Sequence, residues 1–239
     1  MMILSPEPIA AITAGAENLL TASPKEVWLA GAANPVVDID LGVDRAVDTV
    51  FLGFTSAGPA VQWRIIAGAG GAGPELQPQQ LATAADAISG RPHMLSLLAA
   101  PVMVRHIRLQ LTAPAGLMAG VVMVGQRFVA AHERGSGRQL RDSSVKEDLP
   151  DGGFAIVEGV VRASLKWRFV GLSDAARRRL WSLAYRRGET RPVLVIEEPD
   201  SEAAGADERI HYGLFDRFDA YERADPNDNA WALSMTEWV

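Results

Sequence analysis

The residues Gly68-Ala69-Gly70-Gly71-Ala72-Gly73 satisfy the spacing G-x-G-x-x-G and follow a strand-like run, the arrangement in which backbone N–H groups cradle a pyrophosphate. That chemistry needs a helix to begin at the loop, because its open N–H groups and dipole hold the anion. Pro74 and Pro78 follow in a Gln-rich stretch instead, so the run reads as a strand connection and no cofactor is expected. Asp38 and Asp40 stand two apart in an alternating strand, which puts both carboxylates on one face where they could hold a hard cation or act as an acid/base pair. The same alternation is that of a solvated strand face, which is the expected reading. Asp225-Pro226-Asn227-Asp228-Asn229 resembles half of a calcium loop, lacks its glycine hinge and bidentate glutamate, and reads as a turn.

The four histidines, His93, His106, His132 and His211, are scattered singly, with no i, i+4 pairing of the kind metal sites use. The spacings of a nucleophile elbow, a P-loop and a zinc-protease helix are missing too. An enzyme is therefore not expected. Two surface chemistries remain. Arg177, Arg178, Arg179, Arg186 and Arg187 crowd one helical segment, and read either as a solvated face or as a subunit interface docking an acidic neighbour. Six tryptophans could build a sugar-stacking platform, but Trp28, Trp63, Trp167, Trp231 and Trp238 fall in strand-like runs and Trp181 on the helix, so core packing is the expected reading.

The elements that would position these residues are mostly strands. Val37, Ile39 and Leu41 alternate with Asp38 and Asp40; Val50, Leu52 and Phe54 repeat the period of two, as do Val61, Trp63 and Ile65. His93 to Leu98, Val102 to Leu111 and Val121 to Val129 continue the series. Many short strands between Gly, Pro and Ala turns predict a jelly-roll β-sandwich over 27–131, preceded by an N-terminal extension, 1–26. The pattern loses its apolar periodicity over 132–153, which reads as a linker. A second, β-rich α+β domain, 154–239, follows, with Ala163, Leu165, Trp167 and Phe169 sharing a strand face. Its helix, about 174–187, is announced by Ser173 as cap, Asp174 in the first turn and Gly188 as stop, with Ala176, Leu180, Leu183 and Ala184 inward.

Composition narrows the partners. The 239 residues carry a net charge of −6 with no broad basic field, so nucleic acid is not an expected partner. No apolar run is long enough for a membrane-spanning helix, and Met1 to Ala16 lacks the basic start of a secretion signal. With no cysteine, disulfides and sulfur-based zinc sites are excluded, which fits a reducing cytoplasm.

The run Val104-Arg105-His106-Ile107-Arg108-Leu109-Gln110-Leu111, a turn near Pro114 and Gly116, and then Val124-Gly125-Gln126-Arg127-Phe128-Val129-Ala130 resembles a group of bacteriophage and prophage tail proteins built on a galactose-binding-like, discoidin-type jelly roll. Trp167 to Leu172, the helix, Pro192 to Val195, Tyr212-Gly213 and Glu237-Trp238 extend the likeness. His106 stands where that group has an aromatic, and Gln126 interrupts its Gly-Arg pair. The resemblance implies a structural component of a phage tail tip or baseplate, assembled in the bacterial cytoplasm and acting in the virion. Its partners would be other tail proteins and copies of itself, with no cofactor. The alternative it leaves open is a carbohydrate-binding module for a host-surface glycan.

Overall fold

A computed structural model describes residues 1–58, 60–81, 90–131, 137–197, 209–225 and 228–238. His132, and Pro226 and Asn227 of the acidic turn, lie outside the described residues. The described residues are mostly β with one α-helix, and the chain divides into two compact units: Met1–Val129 with Val193–His211, and Ala130–Pro192 with Tyr212–Val239.

The first unit contains β1 (Met2–Pro6), β2 (Ala11–Ile12), β3 (Trp28–Leu29), β4 (Val36–Gly53), β5 (Gln62–Ala67), β6 (Glu75–Leu81), β7 (Met94–Thr112), β8 (Met118–Ala119) and β9 (Val121–Val129). Two of the runs read from sequence as separate strands, Val37 to Leu41 and Val50 to Phe54, belong largely to β4, and His93 to Leu98 and Val102 to Leu111 likewise fall almost wholly within β7. Register shifts between Asp40 and Arg45 and between Val47 and Thr49 mark irregularities where such long strands can bend and serve two parts of a sandwich. Gly42, at φ 78°, occupies the first of them. The buried core gathers Val37, Ile39, Val50, Leu52, Trp63, Ile65, Ile107, Leu109, Leu111 and Val124, the set that the alternation marked out.

The sheet order within this unit is β14-β1-β9-β4-β7-β5-β6, where β14 is Val193–Ile196. Thus Met2, Ile3 and Leu4, expected in an extension, are wholly buried in a strand between β9 and β14. Likewise β14, expected within the second domain, belongs to the first unit. Its four residues are all buried, and an apolar run of that length is compatible with either domain, so only pairing decides.

The second unit begins where a linker was expected, with β10 (Gly137–Asp142), β11 (Val145–Asp148), β12 (Phe154–Val157) and β13 (Val161–Leu172). After α1 (Asp174–Arg187) come β15 (Ile210–Phe218), β16 (Glu222–Asp225) and β17 (Asp228–Glu237). Within this unit β10, β13, β17 and β15 pair in that order, all antiparallel. The Ser173 side chain accepts the Ala176 N–H at 3.2 Å, capping α1 as its type predicts. Leu180, Leu183 and Ala184 are buried on the helix, and Leu165, Trp167, Phe169, Phe215, Leu233 and Met235 on the strands.

Candidate functional site

On the first unit, the strand pairing sets Asp38 opposite Arg108 and Asp40 opposite His106. Arg108 donates from Nε and Nη2 to the two Asp38 oxygens at 2.6 and 2.7 Å, and Arg105 does the same to Asp40 at 2.8 and 3.0 Å. Both forks are bidentate, so each carboxylate is already charge-paired and held by its own arginine. The Arg105 guanidinium, helped by the Gly42 N–H, holds the Asp40 carboxyl far below the usual carboxylate range, and Asp38 in turn raises Arg108. Among the described residues no three His, Asp or Glu side chains gather as metal ligands. The glycine-rich loop is a short 3-10 turn beside this ladder, its Gly68 N–H donated to the His106 carbonyl. A Cβ at Gly71 would stand 2.8 Å from Cδ of Arg108, so the glycines let the loop pack over the ion pair.

The three described histidines are separated. His93 is buried and its Nδ1 accepts the Phe54 N–H at 3.0 Å, which holds Phe54 at φ 55°. His106 lies 3.7 Å from Asp40, and the buried His211 lies 3.8 Å from Glu197. Each sits with a different neighbour. All five aromatic residues of this unit, Trp28, Phe51, Phe54, Trp63 and Phe128, are buried, so its surface offers no ring to a sugar.

In the second unit the arginine cluster is split by burial. Arg177 pairs with Asp174 at 3.4 Å and lies 5.0 Å from the Tyr221 ring centroid; Arg187 donates from Nε and Nη2 to the Pro192 carbonyl, and burial lowers its basicity. Arg178, Arg179 and Arg186 remain exposed, a narrower patch than the five-residue interface the sequence suggests. Of the tryptophans, Trp28, Trp63, Trp167 and Trp231 are buried, but Trp181, stacked on Trp231 at 5.5 Å, is half exposed.

Two features of this unit escape the sequence reading. The first is an arm. β10 pairs with β13 and β11 with β12, while Ser143 and Ser144 tie the kink between them: Ser143 Oγ accepts the Val160 N–H at 2.8 Å and Ser144 Oγ the Gly159 N–H at 2.9 Å. Every residue of β10, β11 and β12 is exposed, including Leu140, Val145, Phe154, Ile156 and Val157. The β11–β12 register puts Val145 and Val157 on one face and Ile156 and Phe154 on the other, so both faces carry apolar side chains into solvent. Lys146 caps the Phe154 ring at 3.5 Å. The second is a polar cavity of about 590 Å³ lined by Arg141, Arg162, Asp216, Thr236, Glu237 and Trp238. Beside it on the same sheet is a more cationic hollow of about 460 Å³ with Arg138, Lys166 and Arg217.

No family model and no curated protein matches the chain. Among solved structures it is similar to a family 32 carbohydrate-binding module of a Clostridium perfringens glycoside hydrolase (11% identity, TM-score 0.37, 50% of this chain and 90% of that one). It is also similar to the lectin domain of lectinolysin complexed with Lewis B antigen (16%, 0.34, 50% and 90%). A third similar structure is the tail of an empty GTA particle (20%, 0.32, 47% and 82%). The described residues are mostly β, with one large, chiefly antiparallel sheet.

Proposed function

We propose that this chain works by binding and not by catalysis, as an assembly component whose arm docks on an adjacent subunit. The observation that carries this is the two-stranded β11–β12 ribbon with apolar residues on both faces. A lone hairpin is marginal in water, and a contiguous exposed apolar surface of this kind marks an interaction site. Its neighbour would cover both faces, as when a ribbon is gripped between subunits of a ring. The particle we assign is a phage or phage-derived tail tip or baseplate, with copies of this chain and other tail proteins as neighbours. The test is immunogold labelling of phage-like particles from the source lysate with an antibody to this chain. Gold at the tail tip is expected; particles that carry no gold would remove the virion assignment.

A second reading, recognition of a host-surface glycan, is favoured by one observation, the polar cavity beside Trp238. The two are compatible within one particle. A glycan array probed with the purified chain tests it, and no bound spot at high protein concentration would count against it.

A further inference from the structure

The glycan reading leaves open where a sugar would sit and of what class. A jelly roll would ordinarily offer loops at one end of its sandwich, yet all five aromatics of the first unit are buried. The exposed face of α1 offers Trp181 and Tyr185, but Trp181 is already packed against Trp231 and Tyr221. The cavity in the second unit has what both lack. We propose that it binds a neutral pyranose, stacked on Trp238 and held through its hydroxyls by Asp216, Thr236 and the Arg141–Arg162 pair.

Four observations converge. The volume, about 590 Å³, falls within the range of small-ligand sites. Asp216 Oδ2 and Thr236 Oγ1 are shielded from solvent and make no hydrogen bond among the described residues; Arg141 Nη2 stands 3.6 Å from that carboxylate oxygen, too far to satisfy it. Buried polar atoms of this kind are costly unless partnered, and a ligand hydroxyl can donate to the carboxylate and accept from the threonine. Arg141 and Arg162 lie directly opposite each other on β10 and β13, two like charges that a shared acceptor would reconcile. Trp238 offers a partly exposed ring at the wall.

Charge selects the class. Glu189 also lines the cavity, so its two arginines face three carboxylates, Asp216, Glu237 and Glu189. A near balance of charge gives no advantage to a strongly anionic or cationic ligand, whereas hydroxyl groups can use guanidinium donors and carboxylate acceptors together. Acidic polymers would be better served by the neighbouring hollow with Arg138, Lys166 and Arg217.

This proposal rests on the glycan reading and is independent of the arm. The experiment is a titration of the full chain with a panel of neutral mono- and disaccharides (glucose, galactose, mannose, N-acetylglucosamine and N-acetylgalactosamine types), followed by calorimetry and tryptophan fluorescence. At least one saturable binder is expected. Arg162→Ala, at an exposed strand position, and Trp238→Ala should each weaken it about tenfold or more while the melting temperature of Arg162→Ala stays that of the parent. If a sugar binds and neither substitution moves its affinity, the site is elsewhere and this proposal falls while the glycan reading stands. If no member of the panel binds at tens of millimolar, both fall.

Discussion

Gly125 illustrates how much of this molecule turns on single atoms. It lies in β9 opposite Pro6 of β1, and a Cβ there would collide with the Ser5 carbonyl oxygen. Gly125→Ala should therefore cost about 2 kcal/mol or more and lower the melting temperature by about 4 °C or more. Gly137→Ala, whose Cβ would meet nothing within 4 Å, should be nearly silent in the same thermal scan. Asp40 makes a second case. Its carboxyl is depressed by Arg105, so its contribution to stability is complete above the ordinary value of 3.8 and is lost as pH falls through the lower folded value. In a carboxyl NMR titration Asp40 should remain ionised at a pH where unpaired carboxyls have protonated. Were its resonance to shift near the ordinary value, the fork to Arg105 would be absent in solution.

Among the elements, α1 was the most legible in the sequence: the cap, acidic first turn and glycine stop recur in the structure, and Leu180, Leu183 and Ala184 of the expected inward stripe are buried while Ala176 is only half-buried. Ser173→Ala should cost about 1 kcal/mol, read as a lower midpoint in chemical denaturation. The strands of the jelly roll were legible as periodicity, but not their length, because a bulge leaves the alternation interrupted without ending the strand. The arm was illegible for another reason. An exposed segment has no buried face to impose a period, so β10 and β11 read as linker, while β12 fell at the start of the expected second domain. The signal was there in Val145, Phe154, Ile156 and Val157, apolar residues embedded in a charged stretch. A Phe154→Ser, Ile156→Ser double variant should melt within about 2 °C of the parent, since exposed substitutions cost little, yet fail to enter particles. Normal incorporation of that variant would end the docking role. The candidate sugar cavity was equally hidden, since Arg141, Asp216 and Trp238 are joined by pairing across β10, β13, β17 and β15 and by no spacing along the chain.

At the scale of the whole molecule, the first unit is built from two separate stretches, 1–129 and 193–211. β9 and β14 flank β1 on either side and run parallel to each other, with Val129 and Ile196 both opposite Met2. The ends to be joined, Val129 and Val193, are thus about two strand spacings apart across the sheet and three residues apart along it, roughly 14 Å in all. A chain linking 129 to 193 through a crossover bridge of about a dozen Gly/Ser residues should be monomeric and cooperatively folded, whereas 1–129 alone should associate through the open edge of β1. Size-exclusion chromatography with light scattering separates the two; a monomeric 1–129 would show that β14 is dispensable.

That same arrangement sets a schedule for biosynthesis. The strand that closes the β1 edge leaves the ribosome only after the arm and helix have been made, so a nascent first unit waits with an unsatisfied row of N–H and C=O groups. A free strand edge invites a stranger, and polysomes place many such edges side by side. The sixty-odd residues between 129 and 193 are therefore also a delay, and stalling or premature termination within them should yield aggregates of the first unit and not a soluble jelly roll.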